Sequence, residues 1–204
     1  MSACVGIVLA GGRGRRLGAD VPKALVRLGG ETLLERAVAT LGAACGPVLV
    51  VAPASMQLPG VSARRVVDVA GYQGPLAGLV AGLEAAGEMT SFVLGVDFPC
   101  VTPVLVRELA RVLAATPYVD AIVPRPGGIE QPLVAAYAPA VAARLRAALE
   151  AGVTSLRGGL DALRVSTIDD VETLPGGADA LLNVNTPDDF ERARHALAAA
   201  GSAS

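Results

Sequence analysis

The sequence predicts a single three-layer α/β domain with a mostly parallel central sheet, and three observations carry that expectation. Short, continuously apolar runs alternate with longer stretches of helical spacing along nearly the whole chain. Runs of that kind fit strands buried on both faces, as in a parallel sheet covered by helices. The first run leads into a loop rich in glycine and arginine, which is where such sheets hold ligands. A chain of 204 residues that is 52% hydrophobic and 18% charged also has enough apolar material for a sizeable core and too little charge for disorder.

The elements follow in order. Residues 4–10 read as a buried strand, and residues 32–41 carry apolar positions at helical spacing. Residues 48–51 form a second apolar strand, and 63–69 a candidate third. The stretch 75–86 opens on Pro75, as first helical turns do, and is rich in small residues. A central strand is expected at 92–96, then a helix over 103–114 capped by Thr102. Strands at 121–123 and 133–137, a helix at 140–150, a strand at 164–168, a short segment at 181–184 and a helix at 187–199 complete the pattern. No repeat or linker divides the chain, so one domain is expected over 1–200, with 201–204 as a frayed tail.

With 17 basic and 19 acidic residues, the chain lacks the positive charge that nucleic-acid binding draws on. No apolar run reaches the ~18 residues of a membrane-spanning helix, and the first residues show no leader pattern. A cytoplasmic protein with neither nucleic-acid nor membrane partners is expected. Cys4, Cys45 and Cys100 are odd in number and far apart, which argues against a disulfide framework or a zinc site.

The loop Leu9-Ala10-Gly11-Gly12-Arg13-Gly14-Arg15-Arg16-Leu17-Gly18 is the most informative stretch. Consecutive glycines after a strand let the backbone approach a ligand and turn N–H groups toward anions. Neither general phosphate motif fits. The spacing of Gly12, Gly14 and Gly18 departs from the dinucleotide fingerprint, and no Gly-Lys-Ser/Thr is present. The chain holds 16 arginines and one lysine, Lys23; a sole lysine near this loop marks a place for a compact ammonium.

Leu-Ala-Gly-Gly followed by Arg16-Leu17-Gly18 and then Lys23 resembles the signature of nucleotidyltransferases that take nucleoside triphosphates. Within them the chain most resembles the molybdenum cofactor guanylyltransferases, the MobA family. Four further segments agree in order: Asp68 with Gly74-Pro75-Leu76-Ala77-Gly78, Asp97-Phe98-Pro99, Gln131-Pro132-Leu133 through Tyr137, and Asn183-Val184-Asn185-Thr186-Pro187. The resemblance implies a Rossmann-like nucleotidyltransferase fold. It also implies Mg²⁺-dependent transfer of GMP from GTP to molybdenum-loaded molybdopterin, releasing pyrophosphate. A molybdoenzyme or its delivery chaperone is the protein partner it implies. Two departures, Val21-Pro22 before Lys23 and Gly95 before Val96-Asp97, keep other acceptors open: cytidylyl transfer to molybdopterin, or nucleotidyl transfer to a sugar phosphate or phospholactate.

The chemistry needs charge neutralisation and orientation more than a strong base, because the attacking phosphate is already an anion. By resemblance, Lys23, Arg16 and Asp97 are the catalytic candidates. Leu9, Ala10, Gly11, Gly12, Lys23, Asp68, Gly74, Pro75, Leu76 and Asp97 would bind the nucleotide, and Asp97 with Asn185 would bind the metal. Gln131, Arg125, Arg157 and Asn183 are candidates for the acceptor side. The segments around Arg125 and Arg157 pair an arginine with glycines, as a closing loop or as plain surface. His195 lies among alanines in the last expected helix, which suits a surface position.

Overall fold

A computed structural model describes residues 4–11, 21–68, 71–72 and 74–202. β1 (Val5–Leu9) is followed by a 3-10 turn at Lys23–Leu25, a small antiparallel hairpin of β2 (Arg27–Leu28) and β3 (Glu31–Thr32), and α1 (Leu33–Ala44). β4 (Val48–Val51), β5 (Arg64–Val66), α2 (Pro75–Ala86), β6 (Ser91–Gly95) and α3 (Pro103–Ala115) complete the first half. The second half holds β7 (Ala121–Pro124), β8 (Val134–Tyr137), α4 (Val141–Glu150), α5 (Leu156–Leu160), β9 (Val165–Ile168) and α6 (Pro187–Ser202).

Seven strands form one sheet in the order β5-β4-β1-β6-β8-β7-β9. β1 pairs in parallel with β4 and with β6, and β8 alone runs antiparallel, between β6 and β7. Successive strand residues face opposite sides, so Val8, Val50, Phe92 and Leu94 join α1, α3 and α6 in one core. Ile7, Leu49, Val51 and Val93 join α2, α4 and α5 in the other. The result is the three-layer fold that the apolar runs imply.

Local chemistry explains the element ends. Thr32 accepts from the Glu35 N–H while the Glu35 carboxylate accepts from the Thr32 N–H, a reciprocal cap that starts α1. Thr102 accepts from the Leu105 N–H and starts α3. α2 begins at Pro75 and approaches β1 and β4 closely: a Cβ at Gly82 would lie 2.6 Å from Ile7 Cγ2.

Two expectations change. The glycine-bearing segment around Arg157 is no loop; Ser155 accepts from the Gly158 N–H and caps the helix α5. The short segment at 181–184 runs from the end of a 3-10 turn at Gly177–Leu181 back to the residues just past β6. The last helix continues through Ser202.

Candidate active site

The chain leaves β1 toward α1 and β4 on one side, then crosses back through α2 to β6 on the other. A crevice opens where strand order reverses in this way, beyond the carboxyl ends of the strands. Gly11 follows the end of β1 and Asp97 the end of β6, neighbouring parallel strands whose pairing carries on to the Val96 N–H, which donates to the Leu9 carbonyl at 3.3 Å. Gly11 is exposed with no neighbour within 4 Å of its would-be Cβ. Leu9 and Ala10 are buried, and the Ala10 N–H is already bonded to the Val51 carbonyl. Those two residues are therefore held in the sheet up to Gly11. Gly12 and Arg16 lie outside the described residues.

Lys23 arrives on the 3-10 turn that Pro22 initiates, where the Pro22 carbonyl accepts from the Leu25 N–H at 2.8 Å. The stem of Lys23 is buried and its ammonium is carried inward. Nζ donates to Asn185 Oδ1 at 2.7 Å and stands 3.6 Å from Asp97 Oδ2. Asn185 Nδ2 donates to Asn183 Oδ1 at 2.7 Å, and the Asn183 side chain, near the Asp97 carboxylate, helps to favour its charged form. The Val184 N–H donates to the Asp97 carbonyl at 2.8 Å, stitching this segment to the end of β6. Residues 23, 97, 183 and 185 thus form one polar network. Asn183 belongs to it directly, while Thr186 is the residue that caps α6, accepting from the Asp189 N–H.

Burial pushes the Asp97 carboxyl above its usual range, and the Lys23 charge opposes that only in part. A desolvated carboxylate with one cation beside it favours a further positive charge. Gly95 is needed for this placement, because a Cβ there would overlap Asp97 Oδ1 and press on Leu133 at 3.1 Å. Among the described residues no three His, Cys, Asp or Glu side chains cluster as a metal cage. One carboxylate with an amide oxygen nearby still suits Mg²⁺, which keeps waters and substrate phosphates in its shell.

The remaining candidates spread along the same edge. Asp68 follows β5, half-buried, with Oδ1 3.2 Å from a would-be Cβ on Gly78 of α2; burial raises its carboxyl too. At the start of α2, Gly74 adopts φ of 92° and sits under the Thr154 carbonyl, which accepts from the Leu76 N–H at 3.3 Å. Leu76 is fully buried. This end of α2 is therefore packed against the segment before α5, and the Leu76 N–H is committed within the protein. Arg125 grips Asp169 with two hydrogen bonds of 2.6 and 2.8 Å. Gln131 is half-buried and steadies its own loop, donating to the Ile129 carbonyl at 3.4 Å. Arg157 projects from α5 into solvent. Neither arginine joins the Asp97 network in this structure.

Gly11 beyond the end of β1, a buried ammonium and a strand-end carboxylate at the switch point of a Rossmann-like sheet fit a nucleotidyltransferase. The chain belongs to the MobA-like NTP transferase domain family, which it matches over residues 6–166. It is 39% identical over 198 residues to a probable molybdenum cofactor guanylyltransferase of Chloroflexus aggregans, covering 91% of both chains. A protein of the same description from Mycobacterium avium is 36% identical over 196 residues, covering 95% of this chain and 96% of that one. Among solved structures, molybdopterin-guanine dinucleotide biosynthesis protein A of Archaeoglobus fulgidus superposes with a TM-score of 0.79 at 26% identity, over 95% of this chain and 98% of that one. No helix among the described residues is long and apolar enough to cross a membrane.

Proposed function

We propose that this nucleotidyltransferase moves GMP from GTP onto molybdenum-loaded molybdopterin, giving the guanine dinucleotide and pyrophosphate. The observation that carries the reading is the Lys23–Asn185–Asn183–Asp97 network beside Gly11. The names of the relatives support the substrates. A terminal phosphate oxygen of the pterin attacks the α-phosphorus of GTP; a new P–O bond forms as the α–β bridge breaks and pyrophosphate departs. Charge repulsion is the main obstacle, and a buried ammonium stabilises charge that grows on the departing oxygens. Lys23 holds that position, with its ammonium oriented by Asn185.

Mg²⁺ would be held by Asp97 with Asn185, and when bound it neutralises triphosphate charge. Gly11 and Gly12 leave room for the purine, with Asp68 accepting from the N–H groups of the base. Arg16 adds charge near the phosphates. Gln131, Arg125, Arg157 and Asn183 form the acceptor side, with Arg125 exchanging Asp169 for the anionic pterin. A molybdoenzyme or its chaperone would then receive the product in the cytoplasm.

Incubation with molybdenum-loaded molybdopterin, Mg²⁺ and an equimolar mixture of triphosphates tests this directly. Mass spectrometry should find the guanine dinucleotide as the main product. A cytosine dinucleotide, or pyrophosphate release only with a sugar phosphate, would replace the reading.

A further inference from the structure

At the opposite end of β1 from the active site, two cysteines 41 positions apart meet: Cys4 Sγ and Cys45 Sγ face each other 2.6 Å apart. Cys4 precedes β1 and is buried; Cys45 follows α1 and is half-buried. Both backbones are already fixed beside each other. The Gly46 N–H donates to the Cys4 carbonyl at 2.9 Å, and the Gly6 N–H donates to the Pro47 carbonyl at 2.9 Å. We propose that Cys4 and Cys45 are an oxidation site, a pair that hydrogen peroxide converts to a reversible disulfide stapling the base of the first strand–helix unit.

The geometry suits the bond. Disulfides need the two chains close and their side chains directed at each other; the backbone hydrogen bonds supply the first and the facing sulfurs the second. The Cys45 thiol beside it lowers the Cys4 thiol from its ordinary value, which favours Cys4 as the attacking thiolate. Its sulfur attacks one peroxide oxygen, giving a sulfenic acid and the first water. The Cys45 sulfur then displaces the hydroxyl, forming the S–S bond and the second water. Two thiols lose two electrons and two protons, and one peroxide is reduced to two waters.

Cys100 provides an internal contrast. It is buried against the Ala193 carbonyl at 4.0 Å, and burial pushes its thiol up to about 11. The staple would close the chain segment that carries Lys23, restricting its unfolded state, while leaving the carboxyl edge of the sheet open.

Treating the purified protein with peroxide, alkylating and digesting it tests the pairing. The expected result is a Cys4–Cys45 cross-linked peptide, an intact mass lighter by two hydrogens, and Cys100 recovered alkylated. The melting temperature should rise by about 5–15 °C, and dithiothreitol should reverse it. Cys45→Ser should abolish both changes, with Cys4→Ala as the second variant should the first fold poorly. Recovery of Cys4 as a sulfinic or sulfonic acid, a cross-link between two chains, or an S–S bond with no rise in melting temperature would overturn the proposal.

Discussion

Asp97 stands where a charge is expensive to keep, since burial raises its carboxyl despite an ammonium 3.6 Å away. A carboxylate in that condition works against the folded state at neutral pH. Asp97→Asn should therefore leave the melting temperature unchanged or higher, while pyrophosphate release falls at least about 100-fold. Thermal denaturation alongside a pyrophosphate assay checks both halves; a full rate would remove Asp97 from the chemistry. At this scale much of the site was legible: Lys23 as a sole lysine, Asp97 at a strand end and Asn185 in its motif all converge. The link from Asn183 to Asp97 was not, because short side chains of one loop can equally cap the next helix. Nor was the pairing of Arg125 with Asp169, which rests on β7 lying beside β9.

Among the elements, α2 depends most on a single glycine. The φ of 92° and ψ of 167° at Gly74 belong to a region that only glycine occupies readily, and a Cβ would lie 2.7 Å from the Thr154 carbonyl. Gly74→Ala should cost about 2–3 kcal/mol. By contrast Gly42, exposed in α1 with nothing near its would-be Cβ, should gain about 0.5–1 kcal/mol as alanine. Denaturant titration of the two variants gives opposite signs if these geometries hold. Helices and central strands were readable because caps, Pro75 and apolar runs coincide at their ends. The hairpin β2–β3 escaped notice, although Gly29-Gly30, with φ of 63° and 90°, is a known signal for such a turn. The reversed direction of β8 could not be read at all, since a continuously apolar run looks the same either way along the chain.

Across the whole molecule, Asp120 ties together pieces far apart in sequence. Its carboxylate, almost fully buried, accepts two bonds from Arg144 of α4 and three from Arg164 before β9. Those arginines hold its carboxyl well below the usual carboxylate range. A depressed value in the folded state means that the contribution is complete above ordinary aspartate values and fades as pH falls toward the folded one. Melting temperature should therefore drop as pH is lowered below about 4. Asp120→Asn should flatten that slope and cost about 2–3 kcal/mol at neutral pH; an unchanged slope would place acid sensitivity elsewhere. The bond from Lys23 to Asn185 spans 162 positions, and this has a consequence for how the protein comes into being. On the ribosome the sheet can begin to assemble early, but the ammonium and its amide partner meet only after residue 185 has emerged, so the nascent chain would acquire much of its shape before its reactive centre.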